Sequence, residues 1–155
     1  MFGRVIIAAA TLAAALPSPA HAGGRYGPEL VDKYAVPAVR SGATEWVKTW
    51  WTSKSDVCDV RVVVSAPGVT VTYPENTKTY TSFRRTADLA RGDNDYTAFR
   101  VTATAAVTRW IDLRTEVSYT KLAAGTLRPG SAVNVPCTGD RSDRITTTRL
   151  LILGG

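Results

Sequence analysis

A two-residue alternation of apolar and polar positions runs through most of the chain. Its longest run places Phe99, Val101, Ala103, Ala105 and Val107 on one face and Arg100, Thr102 and Thr104 on the other. Alternation of this kind marks a strand buried on one side. The pattern recurs with Cys58, Val60, Val62, Val64 and Ala66 against Asp59, Arg61 and Ser65, and with Val69, Val71 and Tyr73 against Thr70 and Thr72. It recurs again with Ile111, Leu113, Val117 and Tyr119 against Asp112, Arg114 and Glu116. Thr77 to Phe83, Ser131 to Cys137 and Ile145 to Leu153 read as further strands, the first near an edge. Pro67-Gly68, Pro74-Glu75-Asn76, Gly125, Arg128-Pro129-Gly130 and Thr138 to Asp143 supply the breaks. Proline at 67 suits a type I or II turn rather than the primed turn of a tight hairpin, so the strands on its two sides need not be partners.

Two segments are read differently. Thr44 to Thr52 is rich in tryptophan and β-branched residues, which favours a strand with Trp46, Lys48 and Trp50 on one face and Val47 and Trp51 on the other. Pro28 followed by Glu29-Leu30-Val31-Asp32-Lys33-Tyr34 opens a short helix, or else residues 23–43 form an arm. The expected architecture is an all-β antiparallel sandwich of about seven to nine strands over residues 44–155.

Composition adds a compartment. Arg4, the apolar run Val5 to Leu16, the helix-breaking Pro17 and Pro19 and the small-x-small site Ala20-His21-Ala22 predict a cleaved secretory signal over residues 1–22. Its alanine-rich style suggests a bacterium. The apolar run is too short to span a bilayer, so no membrane anchor is expected after cleavage. Removal of Arg4 lowers the formal charge of +6 by one, and the chain's single histidine, His21, leaves with the signal. Export leads to an oxidising milieu, where two cysteines, Cys58 and Cys137, are expected to pair. Closing so long a loop stabilises a fold by roughly 4 kcal/mol in the chain-entropy model.

Without a histidine in the mature chain, Ser-His and Cys-His nucleophiles and histidine zinc sites are excluded. Nothing selects a carboxylate pair for glycoside hydrolysis. No catalytic residue, cofactor or metal is expected. Asp93, Asn94 and Asp95 lack the ordered oxygen set of a calcium loop, and Asp140 and Asp143 read equally as solvated turn residues. Arg91-Gly92-Asp93 matches an integrin-read tripeptide and is explained by turn chemistry. Arg84-Arg85 is the one basic doublet, too little for a nucleic-acid surface. Trp46, Trp50 and Trp51 are the candidate binding surface, set against a role in the core. Trp110 falls on the polar phase.

At Leu89-x-x-Gly92-x-x-x-Tyr96 the chain resembles the tyrosine corner of immunoglobulin-like and fibronectin type III-like sandwiches. There a tyrosine entering a strand returns its hydroxyl to the preceding backbone. The resemblance implies an immunoglobulin-like sandwich with Tyr96 as a structural corner. Ala98 stands where antibody domains place a cysteine, so the bridge is differently placed. Tyr96 is also out of phase with Phe99 and Val101. Either a β-bulge near Ala98-Phe99 absorbs one residue, or Tyr96 faces outward.

These readings predict an exported, non-catalytic interaction or structural module whose partner is an extracellular protein or an envelope polymer, with no nucleic acid. A carbohydrate-binding module or small glycosidase using the tryptophan cluster is the first alternative. A secreted hydrolase inhibitor presenting Leu122 to Gly130 is the second.

Overall fold

Strand β3 (Thr44–Ser53) and strand β6 (Asn94–Ala103) pair antiparallel without interruption, from Thr44 opposite Thr102 to Thr52 opposite Asn94. Val47, Thr49, Trp51 and Ser53 of β3 and Asp95, Thr97, Phe99, Val101 and Ala103 of β6 all turn inward and are buried. The intervening residues face solvent, as period-two chemistry dictates. This is a computed structural model that describes residues 26–31, 36–74, 77–131 and 135–155.

Strand β1 (Pro28–Leu30) flanks β3, and β5 (Val69–Thr72) flanks β6, giving a first sheet in the order β1-β3-β6-β5. The second sheet has the order β2-β8-β7-β4, from β2 (Val39–Arg40), β4 (Val57–Ser65), β7 (Arg109–Lys121) and β8 (Arg141–Leu153). Eight strands and no helix are present among the described residues. Between the sheets lies one core: Val47, Trp51, Phe99 and Val101 from the first, and Val60, Val62, Leu113, Val117, Leu150 and Ile152 from the second. The Trp51 indole N–H is not stranded there. It donates to the hydroxyls of Thr49 at 3.2 Å and Thr97 at 3.1 Å, which also bond each other at 2.7 Å, as a buried donor requires.

Strands β4 and β5, adjacent in sequence, belong to different sheets, in keeping with the proline between them. The segment after β5 crosses back between the layers. Thr81 bridges Val62 of the second sheet, Phe83 bridges Thr97 of the first, and Leu89 bridges Val57. That crossing closes one side of the sandwich.

Several expectations are corrected. Pro28–Leu30 pairs as a strand with Trp51–Ser53 instead of opening a helix, and residues 32–35 lie outside the described residues. Because β1 and β2 belong to the sheets, the sandwich begins before residue 44. Its strands are not all antiparallel: β2 runs parallel to β8, with Val39 opposite Ile152. The strand at Thr77 to Phe83 reduces to isolated bridges, and Val135 to Thr138 carry no strand pairing, residues 132–134 being outside the described set. β6 stops at Ala103, and Val107 is 65% exposed in the following turn. The signal segment 1–22 also lies outside the described residues.

Cys58 and Cys137 are joined, 79 residues apart in sequence. Their geometry differs from the simple alternation. Cys58 is opposite Thr120 and Arg61 opposite Ser118, so β4 holds one residue more than β7 between these pairs. The extra residue is a β-bulge at Asp59, whose φ of 48° lies in the left-handed region. The bulge puts Cys58 in register with Thr120, on the outward phase of Glu116 and Ser118. Cys58 is therefore not on the core face of Val60 and Val62. Its sulfur meets a loop that lies over this end of the second sheet: a Cβ on Gly139 would stand 2.8 Å from the Lys121 carbonyl. Cys137 itself is exposed.

Candidate functional site

The solvent face of the first sheet carries Thr44, Trp46, Lys48, Trp50 and Thr52 from β3. From β6 come Asn94, Tyr96, Ala98, Arg100 and Thr102, and from β5 Thr70 and Thr72. Register sets the neighbours: Trp46 stands opposite Arg100, Lys48 opposite Ala98 and Trp50 opposite Tyr96. The Arg100 guanidinium lies over the Trp46 ring at 4.7 Å. The Lys48 ammonium lies 4.9 Å and the Arg84 guanidinium 5.8 Å from the Tyr96 ring centre. Trp50 and Tyr96 are 5.0 Å apart at 53°. Each cation sits where the ring quadrupole attracts it, and each is worth about 0.5–1 kcal/mol at such exposed sites.

The face has two aromatic ends with a low middle. Trp46, 46% exposed, marks one end, and the Trp50–Tyr96 pair marks the other. The tryptophans stand four positions apart along the strand, roughly 13 Å. Between them only Lys48 and the small Ala98 intervene. No carboxylate occupies the outward positions of the paired parts of β3, β5 and β6. Next to Tyr96 the surface dips into a cavity of about 290 Å³ lined by Pro74, Thr77, Phe83, Arg84, Tyr96 and Ala98. Residues 81–84 of the crossing segment that closes the sandwich are part of its lining.

The three tryptophans read as one candidate surface therefore divide. Trp46 and Trp50 lie on the outer face, while Trp51 is fully buried in the core. Regular pairing through Ala98 and Phe99 removes the bulge that a tyrosine corner at Tyr96 requires. Tyr96 is turned outward beside Trp50, so the corner reading is corrected while the sandwich stands. A different tyrosine ties backbone: the Tyr73 hydroxyl accepts from the Val64 N–H at 2.7 Å and donates to its carbonyl at 3.1 Å. Burial pushes that phenol above its usual range, with the Val64 hydrogen bond opposing.

The acids at the start of β6 serve the fold. Arg85 pairs with Asp93 at 3.0 Å and with the buried Asp95 at 3.2 Å, and Asp93 also accepts from the Gly130 N–H at 2.7 Å. Burial acts to raise the Asp93 carboxyl. The N–H groups of Gly130 and Asn94 and the Arg85 charge outweigh it, leaving the group below the usual aspartate value. Of the tripeptide Arg91-Gly92-Asp93, then, the carboxylate is engaged internally. The basic doublet also splits, Arg85 going to these acids and Arg84 to the Tyr96 ring. Asp140 and Asp143 are exposed. Trp110 is 55% exposed on the outer face of the second sheet, under the Arg149 guanidinium at 5.2 Å. Among the described residues no three histidine, cysteine, aspartate or glutamate side chains cluster to hold a metal. Nor is any helix there long and apolar enough to cross a membrane.

The loop containing Leu122 to Gly130 is held at several points. Buried Asp56 accepts from the N–H of Leu127 at 3.0 Å and of Arg91 at 2.8 Å, and its carbonyl accepts from the Leu122 N–H at 2.9 Å. Asp88 accepts from the Val135 N–H at 3.4 Å. Ala123 to Thr126 remain exposed at the tip.

No protein-family model matches the chain, and no curated protein matches it. Among solved structures it is similar to the GAE domain of GGA2p from Saccharomyces cerevisiae. The identity is 9% and the TM-score 0.48, over 80% of this chain and 97% of that one. It is similar also to AvmM, which catalyzes macrocyclization in alchivemycin A biosynthesis. There the identity is 12% and the TM-score 0.43, over 84% and 90% of the two chains.

Proposed function

We propose that this chain is an exported, non-catalytic binding module that engages its partner through the outer face of the first sheet. The observation that carries the reading is the row Trp46–Arg100, Lys48–Ala98, Trp50–Tyr96. It is an aromatic and cationic strip, free of carboxylates, fixed on the two central strands of a sheet. Aromatic rings and arginine are the side chains that dominate recognition surfaces. Mounting them on paired strands rather than on a loop fixes their spacing before the partner arrives. The disulfide and the predicted signal over residues 1–22 support an extracytoplasmic location. The immunoglobulin-like assignment is part of the proposal, supported by two stacked four-stranded sheets with non-sequential strand order.

The test is co-sedimentation with the insoluble envelope fraction of the producing cells. One variant carries Trp46→Ala, Tyr96→Ala and Arg100→Ala. A control carries Trp110→Ala, Arg114→Ala and Arg149→Ala on the opposite sheet. The wild type and the control should pellet, and the first variant should stay in the supernatant. Equal behaviour of the two variants would overturn the assignment of the face.

A second reading draws on the pinned loop Leu122 to Gly130, whose tip is exposed while its flanks are hydrogen-bonded to Asp56 and Asp93. A hydrolase inhibitor presents such a loop. Inhibition of a secreted hydrolase that is lost on replacing Ala123 to Thr126 would favour it.

A further inference from the structure

We infer that the ligand of this face is an acidic polysaccharide, laid along β3 from Trp46 to the Trp50–Tyr96 pair. The inference rests on the binding face proposed above and adds the chemistry of what it takes. Three observations point the same way. First, Lys48, Arg84 and Arg100 are exposed cations on this face, with no outward carboxylate on the paired parts of β3, β5 and β6, and the outward Glu29 of β1, opposite Thr52, is taken by Lys54 at 3.1 Å and Arg144 at 3.4 Å. Such a strip selects a partner of opposite charge. Second, the cations are interleaved with rings. Flat aromatic faces bury the C–H surface of a pyranose, while guanidinium and ammonium groups take its acid substituents. Third, the surface is long and shallow, with a depression of about 290 Å³ beside Tyr96. It suits an extended polymer with one substituent dropped beside Arg84 better than an enclosed small molecule. Stacked nucleobases need rings and cations as well. The disulfide between Cys58 and Cys137 favours an oxidising compartment, where a polysaccharide is the polyanion at hand.

The test is affinity electrophoresis of the full chain through gels containing polygalacturonate, neutral dextran or single-stranded polydeoxythymidine. The pair Lys48→Ala with Arg100→Ala is compared with Arg114→Ala with Arg149→Ala, which removes the same charge from the other sheet. Thermal unfolding verifies that both variants fold. The inference expects retardation by polygalacturonate at least tenfold stronger than by the other two polymers. It also expects at least a tenfold loss in the first variant and little change in the second. Retardation by dextran that depends on Trp46 and Tyr96 but not on Lys48 and Arg100 would overturn the acidic ligand and leave the face standing. Equal loss in both charge variants would reduce the effect to net charge and overturn the inference. Stronger retardation by polydeoxythymidine would replace the glycan with a nucleic acid. Equal behaviour of the two variants in the envelope experiment is a separate result, and it removes the face itself.

Discussion

Trp46 and Trp51 are five residues apart and do opposite work, because an odd spacing on a strand puts them on opposite faces. Trp51 is fully buried with its N–H bonded to two threonine hydroxyls, so Trp51→Ala leaves a cavity and loses those bonds. It should lower stability by about 3–5 kcal/mol, read as the urea midpoint. Trp46→Ala removes a half-exposed ring and one cation contact and should change stability by less than about 1 kcal/mol. Similar losses for the two would contradict this division. Asp93 supplies a pH test. Its folded value lies below the unfolded one, so as pH falls the unfolded chain takes up this proton first. The stability contributed by the carboxylate is whole above the ordinary aspartate range and is lost as pH falls through it, down to the folded value. Urea midpoints from pH 7 down to about pH 3 should fall more steeply for the wild type than for Asp93→Asn. Parallel curves would remove Asp93 from the acid limb.

The alternation of β3, β6 and β7 was readable residue by residue, including the shared face of Trp46, Lys48 and Trp50. The sequence does not carry register. Which β6 residues stand beside that face depends on β3 and β6 becoming neighbours, although 40 residues lie between Ser53 and Asn94 at their near ends. Tyr96, Arg84 and Arg100 therefore emerged as companions of Trp46 and Trp50 only once the pairing was known. The outward phase of Tyr96 was one of two readings the sequence left open. The bulge at Asp59 misled differently: one extra residue reversed the phase of Cys58, although its pairing with Cys137 was legible from compartment and count. Asp56 gave no sequence signal, since its two hydrogen-bonded N–H partners come from distant loops. Asp56→Ala leaves the Arg91 and Leu127 N–H groups without their acceptor and should lower stability by about 2–3 kcal/mol. Limited proteolysis should then cut within Leu122 to Gly130 faster than in the wild type. An uncut loop would mean that the disulfide and Asp93 hold it without Asp56.

At the scale of the molecule, the second sheet's disulfide clamps the loop between β7 and β8, and the first sheet presents the strip. Reduction should lower stability by up to about 4 kcal/mol, because it frees a closed span of 79 residues in the unfolded chain. The proposed binding face lies on the other sheet and should keep its affinity as long as the reduced protein stays folded. Loss of binding on reduction, without unfolding, would tie the loop to the site. Four tryptophans report on the regions that matter: Trp46 and Trp50 on the outer face of the first sheet, Trp51 in the core, and Trp110 on the outer face of the second. Their indole N–H resonances, followed by NMR during titration with solubilised envelope material, test the central claim directly. The signals of Trp46 and Trp50 should move together and saturate, while those of Trp51 and Trp110 stay in place. Movement of Trp110 with Trp46 and Trp50 unmoved would contradict the account.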